Sequence, residues 1–150
     1  MPSVHTFVYQ QAMRAVLLGA LPGFGGAGLS AHLMTPAFVP DQIGQETFAD
    51  IASHEITGFD YSPRPVNGIA VIADNGSWSL ATDAIIFGDP VTVPPFRFLV
   101  MAYGSVAAPA SSKQLLICVD LNPSGNALEA INGVLKIETP PAGWLTITSS

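Results

Sequence analysis

Pro95-Phe96-Arg97-Phe98-Leu99-Val100-Met101-Ala102-Tyr103 and, beyond a Gly/Ser/Ala/Pro interval, Gln114-Leu115-Leu116-Ile117-Cys118-Val119-Asp120-Leu121 decide the fold class. Both runs are short, apolar and bounded by turn formers, the mark of strands with little solvent contact. The same texture extends in both directions. Gly68 to Ala73, Ser77 to Ala81, Ala84 to Phe87, Gly133 to Ile137 and Trp144 to Thr148 read as further strands. Asp74-Asn75-Gly76, Gly88-Asp89-Pro90, Asn122-Pro123-Ser124-Gly125 and Pro140-Pro141-Ala142-Gly143 separate them as turns. Many short strands without alternating helices predict a mainly β protein, an antiparallel β-sandwich or jelly-roll-like barrel. Within the central run, Phe96, Phe98 and Val100 are expected to point inward and Arg97, Leu99 and Met101 outward, toward a neighbouring subunit or another element.

Upstream the pattern changes. Val8, Ala12, Ala15 and Val16 recur at helical spacing until Gly19, Pro22 and Gly23, which predicts one N-terminal helix over 8–20. Residues 21–44 are dense in Gly, Ala and Pro and are expected to form an extended arm or partner-contacting loop. Gln45 to His54 suits a short second helix, with Thr47 as N-cap and Asp50 as the capping-box acid. The expected plan is one domain over 1–150, with the β part spanning 55–150.

The 150 residues include 49% apolar and only 11% charged side chains, against about 25% charged in typical globular proteins. Such a composition suggests surface hidden in an assembly. The net charge is −6, and the five basic residues, Arg14, Arg64, Arg97, Lys113 and Lys136, do not cluster. Direct nucleic-acid binding is therefore not expected. Proline interrupts every long apolar run, so no membrane span is expected. Arg14 with the apolar Ala15 to Leu21 is faintly like a signal peptide, but Met1 to Ala12 lacks a basic n-region, and the stretch is read as mature chain. Cys118 stands alone, which excludes an intrachain disulfide and suits a buried hydrophobe in a reducing site of synthesis.

Chemistry-bearing motifs are sparse. Gly23-Phe24-Gly25-Gly26-Ala27-Gly28 satisfies the spacing of a dinucleotide-binding loop but lacks the preceding strand and following crossover helix that would place a pyrophosphate. His5, His32 and His54 fall in no metal-ligand spacing. Ser30 with His32, or Ser53 with His54, lacks a nucleophile-elbow motif. His54-Glu55 reads as a helix-end polar pair before an acid and base. Asp50 with Glu55, or Asp83 with Asp89, offers carboxylate pairs, but eleven acidic residues make some such pair inevitable. Asn75-Gly76-Ser77 matches a glycosylation sequon and is first a tight hairpin turn. No catalytic, metal or cofactor residue is assigned, and no cofactor is expected. Trp78 and Trp144, with Phe59, Tyr61, Phe96, Phe98 and Tyr103, read first as core or interface anchors and second as a sugar-stacking platform.

The order of these elements carries a resemblance. A helix-like opening precedes Glu55-Ile56-Thr57-Gly58-Phe59-Asp60-Tyr61, then Gly68-Ile69-Ala70-Val71, the Trp78 strand and the aromatic-Arg-aromatic run at Phe96-Arg97-Phe98. Leu115 to Leu121 and Val134-Leu135-Lys136-Ile137 with Gly143-Trp144-Leu145 follow. Over roughly Val8 to Ile147 this is similar to small tailed-bacteriophage structural proteins. The chain departs from that pattern at Phe59-Asp60-Tyr61, where a second glycine is expected, at Arg64-Pro65-Val66-Asn67 and in the Gly23–Gly28 stretch. The resemblance implies a non-enzymatic virion protein made in the host cytoplasm. Foremost it implies a homo-oligomeric capsid decoration or cement protein that binds the major capsid protein, and alternatively a tail or baseplate component that contacts host-surface glycans. On that reading Phe24, Leu29, Leu33 and Phe38 of the arm and Leu99 and Met101 of the central strand are candidate interface residues, and Trp78 and Trp144 are the aromatic anchors.

Overall fold

Leu29-Ser30-Ala31-His32-Leu33-Met34 forms a fully buried strand in the middle of the molecule, although its neighbourhood reads as an arm. The computed structural model describes residues 5–19, 28–141 and 143–148. These form ten strands, all paired antiparallel, and one α-helix. In chain order they are β1 (His5–Val8), α1 (Gln10–Leu17), β2 (Leu29–Met34), β3 (Arg64–Val66), β4 (Ala70–Asp74), β5 (Ser77–Ala81), β6 (Ile85–Phe96), β7 (Phe98–Tyr103), β8 (Leu115–Asp120), β9 (Leu128–Ile137) and β10 (Leu145–Thr148). The mainly β, antiparallel class with one helix is as expected.

A five-stranded sheet runs β1-β8-β7-β2-β3, a three-stranded sheet β10-β5-β4, and β6 pairs with β9. Register shows how the large sheet is covered. Leu29, Ala31 and Leu33 lie opposite Tyr103, Met101 and Leu99, whereas Ser30, His32 and Met34 lie opposite Ala102, Val100 and Phe98. Cross-strand partners share a face, so these are two separate faces. Arg64, in register with Ala31, donates from Nη2 to the Phe87 carbonyl of β6 at 3.1 Å, so the first face turns toward β6. The second lies under the 35–56 segment, where the His32 ring is 4.0 Å from that of Phe48 and Phe38 meets Phe98 edge-on at 5.4 Å. Covering both faces removes the polar alternation of a half-solvated sheet, which is why β7 and β8 read as continuous apolar runs. The buried side chains form one continuous cluster from Tyr9 to Trp144.

The structure corrects several sequence expectations. The helix spans Gln10–Leu17, and Val8 belongs to β1 beside Ile117. The 45–54 segment makes two 3₁₀ turns, Phe48–Asp50 and Ala52–His54. Asp50 still acts as the capping acid, accepting from the Glu46 and Thr47 amides at 2.9 and 3.1 Å, bonds that hold its carboxyl below its ordinary value. Gly88-Asp89-Pro90 is not a turn between strands: β6 runs through it, with register shifts against β9 on both sides. Phe96 to Tyr103 is not one strand either. It breaks at Arg97, where the chain passes from the β6–β9 pair to the five-stranded sheet. Asn75-Gly76, by contrast, forms the expected two-residue hairpin between β4 and β5, with φ of 48° and 83°. Both central residues take the positive φ that such a turn requires.

Candidate functional site

Because Ser30 and His32 are two apart on β2, their side chains share a face, and Ser30 Oγ lies 2.9 Å from His32 Nε2. The other ring nitrogen, Nδ1, is 2.6 Å from Glu55 Oε2. Glu55 reaches it because residues 54–56 run along β2: the Thr35 amide donates to the His54 carbonyl and the Ile56 amide to the Leu33 carbonyl, at 2.8 and 3.0 Å. Tyr61 completes the chain, donating its hydroxyl to Glu55 Oε2 at 2.6 Å and accepting from the Leu33 amide at 3.0 Å. Burial, then the neighbouring Glu55 charge, pushes the Tyr61 hydroxyl well above its ordinary value. Lys113 closes the neighbourhood. Its Nζ donates to the Val106 carbonyl at 3.0 Å and lies 5.7 Å from the Phe48 ring centre, and burial lowers its pKa against the opposing pull of Glu55.

A serine, an imidazole and a carboxylate in this order have the connectivity of a nucleophile, a base and the group that orients it. Access is the missing part. Ser30 exposes 0% of its surface and His32 2%, both under the 35–56 segment, so a substrate carbonyl has no approach to Oγ in this structure. Every side chain of the network, Ser30, His32, Glu55 and Tyr61, has a hydrogen-bond partner, and such a buried network fixes packing. Sequence reasoning weighed Ser30 with His32 only as a nucleophile elbow and paired Glu55 with His54. A strand reading of 29–34 would have placed Ser30 and His32 on one face, but no local signal brings Glu55 to them.

The second polar feature is at the surface. Arg97 donates from Nε and Nη2 to Asp120 Oδ1 and Oδ2 at 3.0 and 2.7 Å, a bidentate pair at the corner where β6 gives way to β7. That hydrogen-bonded pairing raises the Arg97 pKa. Beside the pair is a cleft of about 350 Å³ lined by Phe7, Phe38, Val39, Pro40, Phe98 and Cys118. Its floor is buried, whereas Val39 on its rim is 75% exposed. Another cleft, of about 360 Å³, opens between β1 and β10. Among the described residues no three His, Cys, Asp or Glu side chains converge as a metal site.

The candidate interface and anchor residues separate sharply. Leu29, Leu33, Leu99 and Met101 are interior on the face turned toward β6, and Phe38 is buried against Phe98, so all five are core and not partner-facing. Of the two covers expected for Leu99 and Met101, a neighbouring subunit or another element, the structure shows the second: β6 and its surroundings lie over that face. Phe24 lies outside the described residues. Trp144 is buried and donates its indole N–H to Thr82 Oγ1 at 3.0 Å, so of its two readings, core or interface anchor, it takes the core one. Its position depends on Gly143, at φ 86°, where an added Cβ would stand 2.9 Å from the Leu80 carbonyl. Trp78 is 53% exposed and remains available. The two tryptophans therefore do not form one platform. No protein-family model, curated protein or solved structure matches this chain.

Proposed function

We propose that this chain is a non-enzymatic structural protein of a bacteriophage virion, a decoration or cement protein that adds interface area to a shell built by the major capsid protein. One observation carries the assembly reading. The strands outside the large sheet leave Val71, Ile72, Trp78, Ile86, Ile131 and Val134 each about half exposed or more, on a chain with only 11% charged residues. Exposed apolar side chains in that number suit a permanent neighbour. Ile86 and Val134 lie on the same face of the β6–β9 pair, since Ile86 is opposite Lys136. The viral assignment itself rests on the resemblance in the order of sequence elements.

The test is quantitative mass spectrometry of purified particles, with this chain counted against the major shell protein. Near-stoichiometric abundance supports decoration, and absence overturns the virion reading. A tail or baseplate role in glycan contact is the second reading, favoured by the exposed Trp78 ring. It predicts a few copies per particle and glycan binding that Trp78→Ala abolishes.

A further inference from the structure

Phe59 has no role inside the fold, yet it is held in a costly conformation. Its ring is 80% exposed, and its φ of 51° is a left-handed backbone that bulky side chains rarely adopt. The turn that presents it is clamped to β6. The Asp60 amide donates to the Thr92 carbonyl, and Asp60 Oδ2 accepts from the Thr92 amide, both at 3.0 Å. The Tyr61 amide closes the turn on the Gly58 carbonyl at 3.2 Å. A clamped turn that offers one aromatic ring to solvent is the form of an interface anchor, because little backbone freedom remains to be lost on docking.

The same molecule carries a matching receptacle. The cleft of about 350 Å³ beside Arg97 is aromatic, with Phe7, Phe38 and Phe98 around it, and falls at the small end of the pockets that hold compact apolar groups. The Arg97 guanidinium lies 4.9 Å from the Phe98 ring centre, so it can serve a second ring at the mouth. Hydrogen-bonding groups match as well. Arg97 spends Nε and Nη2 on Asp120, leaving Nη1 as a donor, and Asp60 spends Oδ2 on Thr92, leaving Oδ1 as an acceptor next to the Phe59 knob. Asp120 also lines the mouth and balances the Arg97 charge, so the match is of one guanidinium donor to one carboxylate acceptor rather than of net charge.

We infer that Phe59 of one copy inserts into the Phe7–Phe38–Phe98 cleft of a second copy, with Asp60 meeting Arg97. Knob and cleft are different surfaces, so the contact is head-to-tail and builds closed rings or open chains rather than an isolated two-fold dimer. The inference rests on reading the chain as an assembling protein.

Sedimentation velocity on the purified full chain tests it with two variants. Phe59→Asn removes the ring and places at φ 51° a residue that tolerates it, so folding is kept. Val39→Asp puts a carboxylate on the exposed cleft rim, against the incoming Asp60. The wild type is expected to form oligomers, and each variant alone to weaken association roughly thirtyfold or more, the size expected of a hot-spot residue. Mixing the two variants restores one sound contact, the knob of Val39→Asp in the cleft of Phe59→Asn, and yields a 1:1 dimer and nothing larger. A monomeric wild type, oligomers indifferent to both substitutions, or a mixture without the dimer overturns the inference. Absence from purified particles overturns the virion reading instead, so the two fail separately.

Discussion

Ser30 Oγ and His32 Nε2 are 2.9 Å apart on the buried face of a central strand, and Glu55, reached only through the fold, holds the other side of the imidazole at 2.6 Å. The network is structural in its consequences. Glu55→Ala leaves His32 Nδ1 and the Tyr61 hydroxyl without their shared acceptor and is expected to destabilise by about 3 kcal/mol. Ser30→Ala removes one hydrogen bond and is expected to cost about 1 kcal/mol. Urea unfolding of both variants checks the order, and equal effects would contradict the central place given to Glu55.

The burial of Ser30 also makes a chemical prediction. A fluorophosphonate probe, which reacts with activated serines, should leave the native protein unlabelled. Mass-spectrometric detection of the adduct on Ser30 would show that the 35–56 cover opens and would revive hydrolytic chemistry.

All three tyrosines and the single cysteine are held neutral by burial, which sets the alkaline limit of stability. Cys118 is pushed from 9.0 up to about 12, Tyr103 from 10.0 up to about 12, and Tyr9 and Tyr61 higher still. For an acid whose folded value is raised, the unfolded chain loses its proton first. The contribution is complete below the unfolded value and is lost as pH rises toward the folded one. Stability should therefore fall from pH 9.0, and more steeply from 10.0, by about 1.4 kcal/mol per pH unit for each group that has entered its window. Lys113 opposes this just below 10.5, where its lowered pKa makes stability rise with pH, but it is one group against four. Difference absorbance of the phenolate should show no tyrosine ionising near pH 10 before the chain unfolds.

The two tryptophans should respond oppositely. Trp144→Ala empties a core site and loses the Thr82 bond, at a cost of about 3–5 kcal/mol. Trp78→Ser, on the exposed side of β5, should change stability by no more than about 0.5 kcal/mol. Acrylamide quenching of each single-tryptophan variant reads the same difference, with Trp78 accessible and Trp144 protected.

Deleting residues 21–40 should unfold the protein rather than merely release it from a partner. The deletion removes β2, which lies between β7 and β3 and carries both buried faces of the sheet. Circular dichroism and thermal melting of the deletion decide this, and a folded β domain would contradict the place assigned to β2.

Local pattern alone determined the β class, the Asn75-Gly76 hairpin, the Ser77–Ala81 strand, the Leu115–Asp120 strand and the burial of Cys118. Each follows from propensity, turn chemistry or apolar run length over fewer than about ten residues. Only the tertiary structure decided the rest. Leu29–Met34 became a central strand because neighbours cover both its faces, so Gly/Pro density nearby outweighed a strand signal that has no polar alternation to reveal it. The break at Arg97 follows from a sheet crossing fixed by Asp120, 23 residues away. Glu55 meets His32, also 23 residues distant, through a strand-edge bridge. Phe59 and Trp144, alike in the sequence reading, part because exposure is a property of the whole packed surface: the turn clamped by Thr92 turns one ring outward, while Gly143 lets the other settle into the core.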